Sequence, residues 1–158
     1  MKTKLIVGCV AIWFAGLGGV CSAFAQTSAV AVVVSEKNPI TNLTTPELRK
    51  LLAGEKRSWA SGLPVKLIVR APGANERVVL LKLLGMSESE YKRHWAAQVF
   101  RGEAQFEPVA LFSNTMQREA VAVFPGALAL MNVQDVRVGV KVVKVDGLLP
   151  GKDGYPLH

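Results

Sequence analysis

The sequence predicts an α/β domain. Short β-rich apolar runs alternate with helical patterns along the chain, and capping or breaking residues bound the helical patterns. After residue 25 there is no internal repeat and no low-complexity linker, so residues 26–158 read as one unit, long enough to bury a core.

The elements follow in order. Ala29 to Val34 is a continuous β-rich apolar run, read as a buried strand. Past the turn at Asn38-Pro39, Thr45 as cap and Pro46 at the first helical position start a helix. Its Leu48, Leu51 and Leu52 share one face, and Gly54 stops it. Lys56 to Gly62 is a loop carrying Trp59, and a second strand runs from Val65 to Val69. A tight turn leads to a helix from about Asn75 to Leu84 that is apolar almost all round, which predicts an interior position.

Ser87-Glu88-Ser89-Glu90 is a capping box, opening a helix to about Val99 with Tyr91, Trp95 and Val99 inward. A loop with Gly102 and Pro108 precedes the last helix, from about Asn114 to Phe124, whose inner side is read as Met116, Ala120, Val123 and Phe124. Pro125-Gly126 breaks it before a strand at Ala127 to Met131, and Val138 to Val145 supplies the final strand. The tail from Asp146 to His158, rich in Gly and Pro, is an ordered but irregular arm.

Residues 1–25 carry an export signal. Lys2 and Lys4 precede an uncharged apolar run from Leu5 to about Val20, and Ala23-Phe24-Ala25 ends it in A-x-A form, with cleavage after Ala25. The rival is an uncleaved anchor, opposed by Gly16, Gly18 and Gly19 and by the roughly 20 apolar residues a span needs. Cleavage makes the protein periplasmic and not an integral membrane protein. Both cysteines, Cys9 and Cys21, leave with the peptide, which excludes thiol catalysis and thiolate metal sites from the remainder. Loss of Lys2 and Lys4 from 19 basic residues leaves 17 against 12 acidic, a balance of +5. That balance suits ordinary solubility or an anionic partner. No Lys/Arg block of nucleic-acid type is present, so no nucleic-acid partner is expected.

The residues do not assemble an enzyme's constellation. The two histidines are His94 and His158, and His94 follows Glu90 by four positions, which reads as a surface ion pair. There is no H-x-x-x-H pair, G-x-S-x-G elbow or phosphate-binding Walker loop, and no obvious carboxylate pair. No catalytic residue, metal or cofactor is expected. One place has ligand character, the turn from Arg70 to Arg77. Backbone amides at Gly73, Ala74 and Asn75, at the start of a helix, suit an anion, and Arg70 and Arg77 could fork onto its oxygens. The alternative is that Gly73 makes the turn and both arginines are solvated. Ser113 and Asn114, opening another helix, are candidates for the same cleft.

Several stretches resemble one family. Asn38-Pro-Ile-Thr-Asn-Leu43, Leu48 to Leu52, Gly54 and Lys56-Arg-Ser-Trp59 are similar to a stretch of the periplasmic phosphate-binding proteins, the receptors of phosphate ABC transporters. Arg70-x-x-Gly73 resembles the opening of their R-x-D-G-S-G-T loop, and Leu84-Gly85 with Trp95 the helical region after it. Phe124-Pro-Gly-Ala127, then Val142 to Gly147 with Pro150, and Tyr155-Pro-Leu157 are similar to the later motifs. The likeness covers about residues 29 to 158.

The resemblance implies a periplasmic-binding-protein-like fold of type II, reduced to a single lobe, with a mixed sheet flanked by helices. It implies capture of phosphate or another small anion at a loop of which Arg70, Gly73 and the helix start are kept, in partnership with an ABC transporter. Ala74, Asn75, Arg77, Ser113 and Asn114 are candidates read from the residues themselves. Departures weaken the ligand inference. The family's receptors have two lobes, and Pro72, Ala74 and Glu76 stand where their loop carries Asp, Ser and Thr. The alternative is an accessory protein that kept the fold, lost the ligand and contacts another envelope protein, through Trp59 or the Tyr155-Pro-Leu157 tail.

Overall fold

In the computed structural model, which describes residues 29–157, six strands form one mixed sheet in the order β2-β6-β1-β5-β3-β4. The signal-peptide reading, with Cys9 and Cys21, lies outside the described residues. The strands are β1 (Val30–Ser35), β2 (Asn42–Leu43), β3 (Lys66–Arg70), β4 (Val109–Leu111), β5 (Ala127–Asn132) and β6 (Val140–Val145). The helices are α1 (Thr45–Leu52), α2 (Asn75–Leu84), α3 (Glu88–Phe100) and α4 (Asn114–Val123).

β1 is central because its whole length is apolar enough to be covered on both faces, and Val30 to Val34 have no exposed surface. It runs antiparallel to β5 and β6, while β3 lies parallel to both β5 and β4. Val30, Val32 and Val34 pack with α1, α2 and α3, through residues such as Leu48, Leu80 and Trp95. Ala31 and Val33 point the other way, into a smaller core with Ile68, Met131 and Val121 of α4. The domain is thus a three-layer α/β/α structure, as the sequence predicts. No helix among the described residues is long and apolar enough to cross a membrane.

Local chemistry explains the helix starts. Thr44, one residue before the expected cap, makes a reciprocal capping box with Glu47 and leaves Pro46 near the start of α1. Ser87 and Glu90 make the second box. Gly85 closes α2 with a left-handed φ of 68°.

Several expectations are corrected. The inner face of α3 is Tyr91, Trp95 and Gln98, whereas Val99 faces solvent, because a 4-3 spacing tracks a helix face better than 4-4. In α4 the buried pair is Gln117 and Val121; Met116 and Val123 are exposed. α2 is covered on one side only, with Val78 and Lys82 exposed and Glu76, Arg77, Val79, Leu80 and Leu84 buried. His94 makes no ion pair with Glu90, which is used in the cap of α3. Its Nε2 instead lies 2.7 Å from the carbonyl of Ala53 and 2.6 Å from Gln98 Nε2. The short strands β2 and β4 were not expected.

Candidate functional site

Parallel pairing brings the candidate residues to one edge of the sheet. β3 and β4 run side by side with Arg70 opposite Leu111, so the turns that follow them emerge together. One turn carries Arg70 to Asn75 into α2, and the other carries Phe112 and Ser113 into α4. The end of β5 arrives beside them, because β5 is parallel to β3. In α/β sheets this carboxyl edge is where ligands collect.

The turn after β3 is held by the amide of Ala71 donating to Leu111 O at 2.9 Å and that of Ala74 to Ala71 O at 3.3 Å. Gly73 is needed there, since its φ is 92°. Ala74, at the capping position before α2, offers no side-chain cap. Arg70 Nη1 donates to Leu111 O at 3.0 Å, and Arg70 Nε lies 3.9 Å from Glu76 Oε2. Glu76 is buried, with 3% of its surface exposed, and its Oε1 accepts the Asn132 amide at 3.4 Å. A buried carboxylate therefore balances the arginine that the sequence offered to a ligand.

Arg77 is engaged elsewhere. Its Nε and Nη2 donate to Glu88 at 3.0 and 2.6 Å, and the guanidinium lies 4.1 Å over the Tyr91 ring. Burial alone would lower its pKa, but the Glu88 hydrogen bonds together with the neighbouring Tyr91 and Glu88 groups hold the pKa above the ordinary value. This arginine is a strut between α2 and α3. Ser113 Oγ accepts the Met116 amide at 3.1 Å as the cap of α4, and Asn114 Nδ2 donates to Asp135. Asn75 Nδ2 donates to Asn132 Oδ1 at 3.1 Å.

Sequence reasoning missed Asn132 and Asp135. Asn132 reaches Asn75 and Glu76 across more than fifty residues from the end of β5, Asp135 reaches Asn114 from the 3-10 turn that follows it, and no local pattern marks either. Among the described residues, no group of three or more His, Cys, Asp or Glu is arranged to hold a metal ion. Trp59 and the tail, offered as contact surfaces, are core. Trp59 is buried and its Nε1 donates to Gly126 O at 3.0 Å, while Tyr155 and Leu157 pack into the larger cluster. Apolar surface is exposed instead at Phe106 (81%) and Phe112 (82%), on either side of edge strand β4.

No protein-family model matches the chain. Among solved structures, an ABC-type phosphate transport receptor from Vibrio cholerae superposes with a TM-score of 0.65 at 20% identity, over 82% of this chain and 52% of the receptor. PstS from Borrelia burgdorferi gives 0.61 at 19%, over 82% of this chain and 53% of its own. The chain has the fold of phosphate transport receptors. It spans about half the length of those receptor chains. The Arg70 turn lies at the carboxyl end of β3.

Proposed function

We propose that the chain is an exported, non-enzymatic, substrate-binding-like protein of the bacterial periplasm that has kept the receptor fold without efficient dianion capture. It works by contacting another envelope protein, such as an ABC transporter subunit. The charged, apolar and A-x-A order of residues 1–25 supports export. The observation that carries the reading is the buried Glu76 carboxylate beside Arg70. A phosphate dianion there would meet a like charge in a site of low polarity. The exposed rings of Phe106 and Phe112 beside β4 support a protein contact.

Calorimetric titration of the purified protein with inorganic phosphate at low salt tests this. The expected result is no one-site heat and no thermal stabilisation at millimolar phosphate. Saturable micromolar binding would overturn it.

That outcome would install a second reading, favoured by the missing side-chain cap at Ala74. In it, a small anion sits at the turn of Gly73, Ala74 and Asn75 in place of the Ala74 amide's bond to Ala71 O, with Arg70, Ser113 and Asn114 around it. Arg77 serves that reading only as a strut. An Arg70→Ala variant that kept full affinity would defeat it.

A further inference from the structure

We infer that the open cavity beside β4 is a homodimer interface, which a second copy of this chain fills with its own Phe106. Phe106 then serves the second copy, and Phe112 is left to the envelope partner proposed above.

The sheet is unfinished at this corner. β4 is an edge strand, and its pairing with β3 begins only at Ile68 opposite Val109. Lys66 and Leu67 pair with β5 on one side and have no strand on the other. An open cavity of about 610 Å³ lies there, and Pro64, Val65, Leu67 and Trp95 give it apolar sides. Pockets that hold whole small ligands start at roughly 300 Å³, so an aromatic ring fits with room to spare. Phe106 stands at the rim of this cavity and does not fill it, since 81% of its surface is exposed. One patch thus carries both a knob and a hole.

That combination is what a second copy requires. A two-fold interface presents the same patch twice, so the patch must carry each feature together with its complement. The charges obey the same rule. The 54–67 segment brings Lys56, Arg57 and Lys66 to the cavity, and the 102–109 segment brings Glu103 and Glu107. Glu107 has no ion-pair partner among the described residues, and the Lys66 ammonium rests 3.3 Å over the Phe124 ring, not on a carboxylate. The Lys56–Glu47 and Arg101–Glu103 pairs are exposed, so exchanging them costs little. Turned by a two-fold axis, Phe106 and the acidic segment of one copy meet the cavity and the basic segment of the other. A foreign partner would need only one member of each pair on this surface.

Sedimentation equilibrium of the purified protein is expected to show dimers that dissociate on dilution. Phe106→Ser is expected to raise the dissociation constant by at least about thirtyfold, the effect of losing an interface anchor. Circular dichroism should find that variant folded, because the ring is outside the core. In a mixture of isotopically light and heavy copies, a photo-reactive phenylalanine analogue at position 106 is expected to join the heavy 102–109 segment to the light 54–67 segment. That second measurement does not depend on how Phe106→Ser folds. Monomers at every concentration, crosslinks confined within one copy, or a dimer that Phe106→Ser leaves intact would each overturn the inference. Crosslinking to a different envelope protein instead would give the cavity to that partner and overturn the second copy. The phosphate titration is independent of all these outcomes, so the proposed function stands or falls separately.

Discussion

Arg77 of α2 and Glu88 of α3 form a two-point ion pair, with Nε to Oε2 at 3.0 Å and Nη2 to Oε1 at 2.6 Å. The guanidinium also lies over the ring of Tyr91, four-fifths of a helical turn further along α3. Burial pushes the Tyr91 phenol up to about 12, so the ring stays neutral at physiological pH. The first turns of the two helices are thereby joined by charge, geometry and stacking. The same contacts deny Arg77 to a ligand at the neighbouring turn.

Truncating Glu88 should expose this dependence. Arg77 is 6% exposed, so Glu88→Ala strands a buried cation. The expected loss is about 2 kcal/mol in urea unfolding, within the range for hydrogen bonds to charged groups. Glu103→Ala breaks the exposed Arg101 pair and should leave the unfolding midpoint essentially unchanged. Equal effects of the two would show that burial is not what gives the Arg77 pair its weight.

Acid should act through the same pair. The Arg77 hydrogen bonds hold the Glu88 carboxyl below its ordinary pKa. A carboxyl with a lowered folded-state pKa adds stability that is complete above its unfolded value and lost as pH falls through the folded one. Glu47, Glu90 and Asp146 are shifted the same way by the caps and the Thr45 contact they serve. Stability should therefore fall as pH drops from about 5 towards 3. Glu88→Gln should fall less steeply over that window. A variant slope identical to wild type would remove Glu88 from the account.

Gly126 offers a steric test. Its carbonyl accepts both the Lys66 amide and Trp59 Nε1, each at 3.0 Å, which draws the 59–66 loop onto the start of β5. A Cβ at Gly126 would lie 2.0 Å from Pro64 O, a backbone atom that cannot swing away. Gly126→Ala should cost about 3 kcal/mol, at the upper end of overpacking effects. Gly73→Ala meets no neighbour, so only its left-handed backbone resists, at about 1 kcal/mol. Reversal of that order in denaturant unfolding would mean that the loop relaxes freely.

These particulars show where sequence reading reached and where it stopped. Pro46 at the start of α1, the Ser87-Glu90 capping box and the Pro125-Gly126 break are local chemistry, and they placed the helices to within a residue or two. The apolar run Ala29 to Val34 announced that β1 is buried. Helix faces were harder, because Gln98 and Gln117 are buried by satisfying distant backbone carbonyls, of Ala53 and Ile68. Polar residues with such remote partners carry no apolar signal. The site followed the same rule. Arg70 and Gly73 were legible as a strand-to-helix turn, whereas the pairing of Arg70 with Glu76, and of Arg77 with Glu88, depended on side-chain direction and burial. Strand β4 is three residues long with an exposed pattern, too short to register as a period.

Phe112 should matter to binding and not to folding. It follows β4 with 82% of its surface exposed, next to Ser113, whose hydroxyl caps α4. Phe112→Ser removes exposed apolar area and no core contact, so the thermal midpoint should move by less than about 2 °C, given a change within about 0.5 kcal/mol. If this edge meets an envelope partner, the substitution should abolish site-specific photo-crosslinking from position 116, where exposed Met116 can carry the probe. Leu157→Ala makes the contrast. Leu157 is 1% exposed in the larger core, so its loss should cost about 2 to 4 kcal/mol and leave the crosslinked product unchanged while the protein stays folded. Crosslinks that persist in Phe112→Ser would move the contact off this edge.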